Sequence, residues 1–164
     1  MKIHFIRHGQ PDYSNIKNED PIYFSNLAPL TKNGIKQAES IDISKINNSK
    51  IIISSPYTRA LQTAAIISKN TNINILVEPN LHEWYPDKTF STKIKDFDKF
   101  NRLYLKDKIC ECNCEDDNEM KNRLIDVIEK YKGYDEIIIV AHQRLINVLT
   151  CSNLKYCEVF DLNY

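Results

Sequence analysis

The chain has 164 residues, with 22 Lys and Arg against 22 Asp and Glu, so its formal net charge is zero. One domain accommodates that length and buries roughly 70% of the surface its unfolded chain exposes. A neutral balance argues against nucleic acid or an anionic membrane as partner, so any anion must be held by a local cluster of cations. The stretch Ile3-His4-Phe5-Ile6 is broken by Arg7 too early for a signal peptide, and no apolar run approaches the ~20 residues of a membrane span. Five cysteines cannot all pair within one chain, and free thiols in a reducing cytoplasm are the simplest expectation.

Residues 2–6 read as a buried strand that runs into a turn at Arg7-His8-Gly9. Residues 11–30 hold Pro11, Pro21 and Pro29 and read as loop. Thr31 is placed to cap a helix whose inner face is Ile35, Ala38 and Ile41. Lys50-Ile51-Ile52-Ile53 is a second buried strand. Beyond it Ser54-Ser55-Pro56 opens a helix with Ala60, Leu61, Ala64, Ala65, Ile66 and Ile67 on a broad apolar face. Residues 73–77 are a third strand, stopped by Pro79. Residues 93–106 are helical by the spacing of Ile94, Phe97, Phe100, Leu103 and Tyr104, and residues 110–119 are a polar loop carrying Cys110, Cys112 and Cys114. Met120, Leu124, Val127, Ile128 and Tyr131 mark an amphipathic helix with Gly133 as its stop. Residues 137–141 are the clearest strand; they lead into His142 and a short helix through Leu145, Ile146 and Leu149. Residues 157–162 fit an edge strand. Near-continuous apolar strands alternating with helices predict an α/β three-layer sandwich: a mostly parallel sheet with helices on both faces, in a single domain over residues 1–164.

In such folds ligands bind beyond the carboxyl ends of the strands. The first strand ends at Arg7-His8, the second leads to Arg59, the third to His82-Glu83, and the last parallel one to His142. Arg presents a donor fork matched to phosphate oxygens, a neutral imidazole is a competent nucleophile toward phosphorus, and a carboxylic acid protonates a departing oxygen. Taken singly, each has a plainer reading: Arg7 and Arg59 as surface ion-pair partners, His142 as a structural histidine, Glu83 as a solvated loop residue. His4 is expected to pack beside the first strand and His82 to stand behind the site, while Trp84 and Tyr85 either wall a pocket or simply pack. Cys110, Cys112 and Cys114 could turn three thiols to one side. Structural zinc sites, however, space paired cysteines by two or more residues, so a reduced, exposed loop with no metal is expected. The glycines at 9, 34 and 133 allow neither G-x-G-x-x-G nor a P-loop.

The segments Ile6-Arg7-His8-Gly9-Gln10, Leu30 to Ala38, Ser54 to Ala64, Leu81-His82-Glu83-Trp84 and Val140-Ala141-His142 together resemble the histidine phosphatase superfamily, also called the phosphoglycerate-mutase-like family. They stand in the family's order and span residues 3–149. The resemblance implies a metal-independent phosphomonoester hydrolase with no cofactor. In it His8 attacks phosphorus and becomes phosphohistidine, and Arg7, Arg59 and His142 hold the equatorial oxygens. Glu83 protonates the leaving group and then takes a proton from water; Asp87 is the next acid in line. Gln143 stands where many relatives have a small residue. Its backbone N–H is expected to bind phosphate at a helix start, and Arg144 is a candidate further cation. Ser14 and Asn15 lie where mutase-type relatives carry Asn. A phosphorylated small molecule or a phosphoprotein is the implied substrate, with specificity residing in residues 11–29 and 84–118. Two other readings stay open: a phosphoglycerate-type mutase, and a non-catalytic module that binds phosphorylated ligands.

Overall fold

A computed structural model describes residues 1–107 and 113–164. Five strands form one sheet: β1 (Lys2–Arg7), β2 (Ile52–Ser54), β3 (Ile75–Val77), β4 (Glu136–Ala141) and β5 (Val159–Asn163), in the order β3-β2-β4-β1-β5. The β1, β2, β3 and β4 pairings are parallel, and β5 closes the β1 edge antiparallel. The helices are α1 (Lys32–Glu39), α2 (Thr58–Thr71), α3 (Ile94–Asp107), α4 (Asp117–Lys130) and α5 (Gln143–Thr150).

The unbroken apolar run of the central strands follows from burial on both faces. Ile137, Ile139 and Ala141 of β4, with Ile3 and Phe5 of β1, face a core shared with Leu124 and Ile128 of α4 and Leu145 and Ile146 of α5. The alternate residues Ile138 and Val140, with Ile6 and Ile52, face Ala60, Ala64 and Ile67 of α2. His4 is fully buried between neighbouring strands, its Nδ1 2.7 Å from Asp161 on β5 and its Nε2 2.8 Å from Glu136 on β4.

Several expected details differ. Ile35 is 40% exposed; α1 instead buries Gly34 and Ala38, because it approaches the chain through its glycine. Ala65 is exposed, and α2 presents Arg59 and Thr63 inward beside its alanines. Helix α4 begins at a capping box between Asp116 and Glu119 and ends at Tyr131, before Gly133, which does not take a positive φ. Cys110 and Cys112 lie outside the described residues. Cys114 is buried and disulfide-bonded rather than free and exposed, whereas Cys151 and Cys157 are free. No helix of the described residues is long and apolar enough to cross a membrane.

The contact between Gly34 and the turn after β1 fixes how α1 sits. A Cβ on Gly34 would overlap the Gln10 carbonyl oxygen and lie 2.9 Å from the Gln10 nitrogen, and one on Gly9 would lie 2.6 Å from the Gly34 oxygen. Both obstacles are backbone and cannot swing aside. Gly34→Ala should therefore cost about 1–3 kcal/mol, the scale of overpacking, and displace the loop that carries His8. Urea unfolding together with turnover measures both effects; wild-type values for each would refute this account of the contact.

Candidate active site

Strand register brings the site together. Ile6 pairs with Val140 and Val140 with Ser54, so β1, β4 and β2 end nearly level. The next residues carry the polar groups: His8 N–H donates to the Ala141 carbonyl (3.1 Å), Ser55 N–H donates to the Val140 carbonyl (3.0 Å), and His142 follows directly on β4. Arg59 arrives from the first turn of α2, and Glu83 from the turn after β3. Arg7, His8, Arg59 and Glu83, with Gln143 and Arg144, line one cavity of about 710 Å³.

His8 is 5% exposed. Its Nδ1 lies 2.7 Å from the Gly9 carbonyl, which only accepts, so Nδ1 carries the proton. Nε2 then keeps its lone pair and accepts a hydrogen bond from Arg59 Nε at 3.2 Å. Burial first, then Arg59 and Arg7, lower the His8 pKa to about 3, although the Gly9 carbonyl pulls the other way. The loop holding it is tied to three elements. Gly9 N–H donates to Thr63 Oγ1 (3.1 Å), Gln10 N–H to Gln37 Oε1 (2.9 Å), and Thr31 N–H to the Gln10 carbonyl (2.9 Å).

Arg59 is 4% exposed, and its donors are shared among His8, the Ser25 carbonyl (2.8 Å) and His142 Nδ1 (3.4 Å). Arg7 donates to the Leu154 carbonyl at 2.8 Å and lies 4.1 Å over the Tyr156 ring, while its buried Nε has no hydrogen-bond partner. Neither arginine is in an ion pair among the described residues. A buried cation without a carboxylate is costly, and an arrangement that keeps Arg59 so, with half-buried Arg7 beside it, suits a polyanion. His142 is fully buried, with Nε2 2.7 Å from Ser55 Oγ; since Arg59 supplies a proton toward Nδ1, Nε2 is the donor. Burial, then Arg59 and His8, push its pKa well below the ordinary histidine value, so it too is neutral.

Glu83 is half-buried. Oε1 accepts from Trp84 N–H (2.9 Å) and Oε2 from Arg144 N–H (3.4 Å) at the start of α5. Gln143 heads that helix, and its side chain donates to the Ser152 carbonyl and Asn153 (both 3.1 Å). Arg144 lies 3.9 Å over the Trp84 ring and donates to Asn101 at 2.7 Å. Trp84 is buried and also lines the cavity. His82 stacks on Tyr85 at 3.8 Å and stands outside the polar cluster. Ser14 and Asn15 are exposed and do not line the cavity.

Asp87 is not an alternative acid. It is 1% exposed, and its oxygens accept from the backbone and hydroxyl groups of Thr89 (2.8 and 2.6 Å), Ser91 (2.8 and 2.7 Å) and Thr92 (2.9 and 3.0 Å). Burial alone would raise its pKa, but these donors outweigh burial and hold the carboxyl well below the usual range. The same cage sets the backbone of Phe90 at φ 59°, a left-handed conformation costing a bulky residue roughly 1–2 kcal/mol. Nothing in the residue pattern singles out Phe90. Ser55 and Thr63 lie inside a segment already singled out, yet their roles emerge only from pairing across the sheet.

The sequence profile of the histidine phosphatase superfamily (branch 1) matches residues 3–158. A solved mycobacterial glucosyl-3-phosphoglycerate phosphatase superposes with a TM-score of 0.76 at 18% identity, over 99% of this chain and 89% of the other. A putative α-ribazole-5′-P phosphatase of Escherichia coli gives 0.64 at 19% identity, over 90% and 76%. The probable phosphoglycerate mutase GpmB of Proteus mirabilis is 28% identical over 85 residues, covering 51% of this chain and 38% of that protein. With its profile matched across nearly the whole length, the chain belongs to the histidine phosphatase superfamily.

Proposed function

We propose that the protein hydrolyses phosphomonoesters through a phosphohistidine on His8 and needs no metal. The observation that carries this reading is the unprotonated Nε2 of a neutral His8, held against Arg59, a buried cation with no carboxylate partner among the described residues. Nε2 forms a bond to phosphorus as the ester P–O bond breaks, and protonated Glu83 gives its proton to the leaving oxygen. Arg59 then donates to an equatorial oxygen in place of Nε2, Arg7 and the Gln143 backbone N–H share the remaining charge, and neutral His142, whose N–H is given to Ser55, holds the Arg59 fork in position. Water next attacks phosphorus and Glu83 takes its proton. The P–N bond breaks and returns its electron pair to Nε2.

The reading allows a phosphorylated small molecule or a phosphoprotein as substrate. A panel of phosphomonoesters that includes 3-phosphoglycerate tests it. Phosphate release should persist in EDTA, fall with vanadate, and exceed interconversion of 2- and 3-phosphoglycerate. Faster interconversion would make the protein a mutase, and activity that tracks bound zinc would end the metal-free mechanism.

A further inference from the structure

A wall of aromatic rings leaves the reacting centre and reaches the cavity mouth. Tyr57 packs 4.9 Å from His142 and lines the cavity together with Tyr85. Phe90 meets Tyr85 edge to face at 5.0 Å and 80°, and Tyr23 meets Phe90 at 6.4 Å and 85°. All four rings line the cavity that holds His8 and Glu83, yet Tyr23 and Phe90 are 42% and 40% exposed. His82 covers one face of Tyr85, but an edge-to-face contact occludes at most one face of a ring, and the exposed Phe90 and Tyr23 keep area on which a flat partner can stack. The exposed rings offer apolar area, and Lys95, which lines the same cavity, is paired with Glu19 at 2.8 Å. The strained Phe90 backbone, imposed by the Asp87 cage, keeps a ring at the mouth where a relaxed loop would not.

We infer that Phe90, with Tyr23 and Tyr85, selects phosphomonoesters whose leaving alcohol carries a flat aromatic ring. The inference deepens the hydrolase reading and shares its phosphate site, but a binding measurement separates the two. Because a phosphonate cannot be hydrolysed, 2-naphthylmethylphosphonate and methylphosphonate report affinity alone, by titration calorimetry. The naphthyl compound should bind the wild-type protein at least about 10-fold more tightly, the scale of one good ring contact beyond a shared headgroup. Phe90→Gly suits the left-handed backbone, so the fold should stay intact while this preference falls by roughly 10-fold. Phe90→Tyr should restore it, and Phe90→Leu, apolar but not flat, should not. The kcat/KM ratio of 2-naphthylmethyl phosphate to glycerol 3-phosphate should follow the same order, because both leave as alkoxides. Equal affinities in the wild type, or full rescue by Leu, would overturn the inference. A naphthyl preference without phosphate release from any ester would instead overturn the hydrolase reading and leave the aromatic subsite standing.

Discussion

His8→Ala should lower turnover by roughly 10⁴–10⁶, the scale seen when a catalytic nucleophile is removed. Among the described residues no other imidazole lines the cavity: His142 is fully buried outside its lining, with Nδ1 toward Arg59 and Nε2 toward Ser55, and Asp87 is closed inside its own loop. Rapid quenching with labelled substrate should trap an acid-labile adduct on His8 in the wild type and none in the variant. The pH profile carries a further signature. With a pKa of about 3, His8 stays neutral far below the 6.5 of an ordinary histidine, so its protonation should not produce an acid limb in kcat/KM near pH 6.5. Stability follows the same linkage. As pH falls below 6.5 the unfolded chain takes up the proton first, and the folded protein loses stability until about pH 3. His8→Ala should flatten that slope without changing stability at pH 8 through this linkage. A variant with wild-type turnover would remove His8 from the mechanism.

Glu83→Gln should cost roughly 10²–10⁴ in the phosphorylation step with alkyl phosphates, the range for general acid catalysis. An alkoxide leaves poorly without a proton, whereas p-nitrophenolate is stable as an anion and needs little help. Single-turnover burst rates for p-nitrophenyl phosphate should therefore fall much less. The amide keeps an oxygen for the Trp84 N–H but cannot accept from Arg144 with its nitrogen, so a small positioning loss is expected for both substrates. Dephosphorylation should also slow, because the amide takes no proton from water. Equal burst losses for the two substrates would make Glu83 a positioning residue only.

Burial and register decide how much of this was legible beforehand. Residues 137–141 announce a strand because both faces of β4 are covered, which forces an unbroken apolar run. Strand ends then locate His8 and His142, the segments after the second and third strands bring Arg59 and Glu83 to the same rim, and the resemblance assigns their roles. Ile35 misleads because its spacing suits an inner face, while the true contact is made by Gly34, which contributes no hydrophobic signal. Asp87 reads as a spare acid until its hydroxyl donors are seen; a run of Thr89, Ser91 and Thr92 looks like ordinary loop. Phe90 in a left-handed conformation has no sequence marker at all, since that region is ordinarily signalled by Gly or Asn. Cys114 lay in a loop whose spacing suggested neither a metal nor a bridge.

The buried, unpaired charge of Arg59 ties ligand occupancy to the integrity of the domain. Folding carries this cation out of water and offers it only neutral acceptors in return. A phosphoryl group entering beside it supplies the compensation that the chain itself withholds. The unfolded chain has no such concentrated site, so the anion's affinity belongs to the native state alone and adds to its free energy in proportion to occupancy. Under the proposed function, substrate, product and phosphate-like inhibitors would then act as components of the fold, and the ligand-free protein would be less stable than its phosphate-bound form.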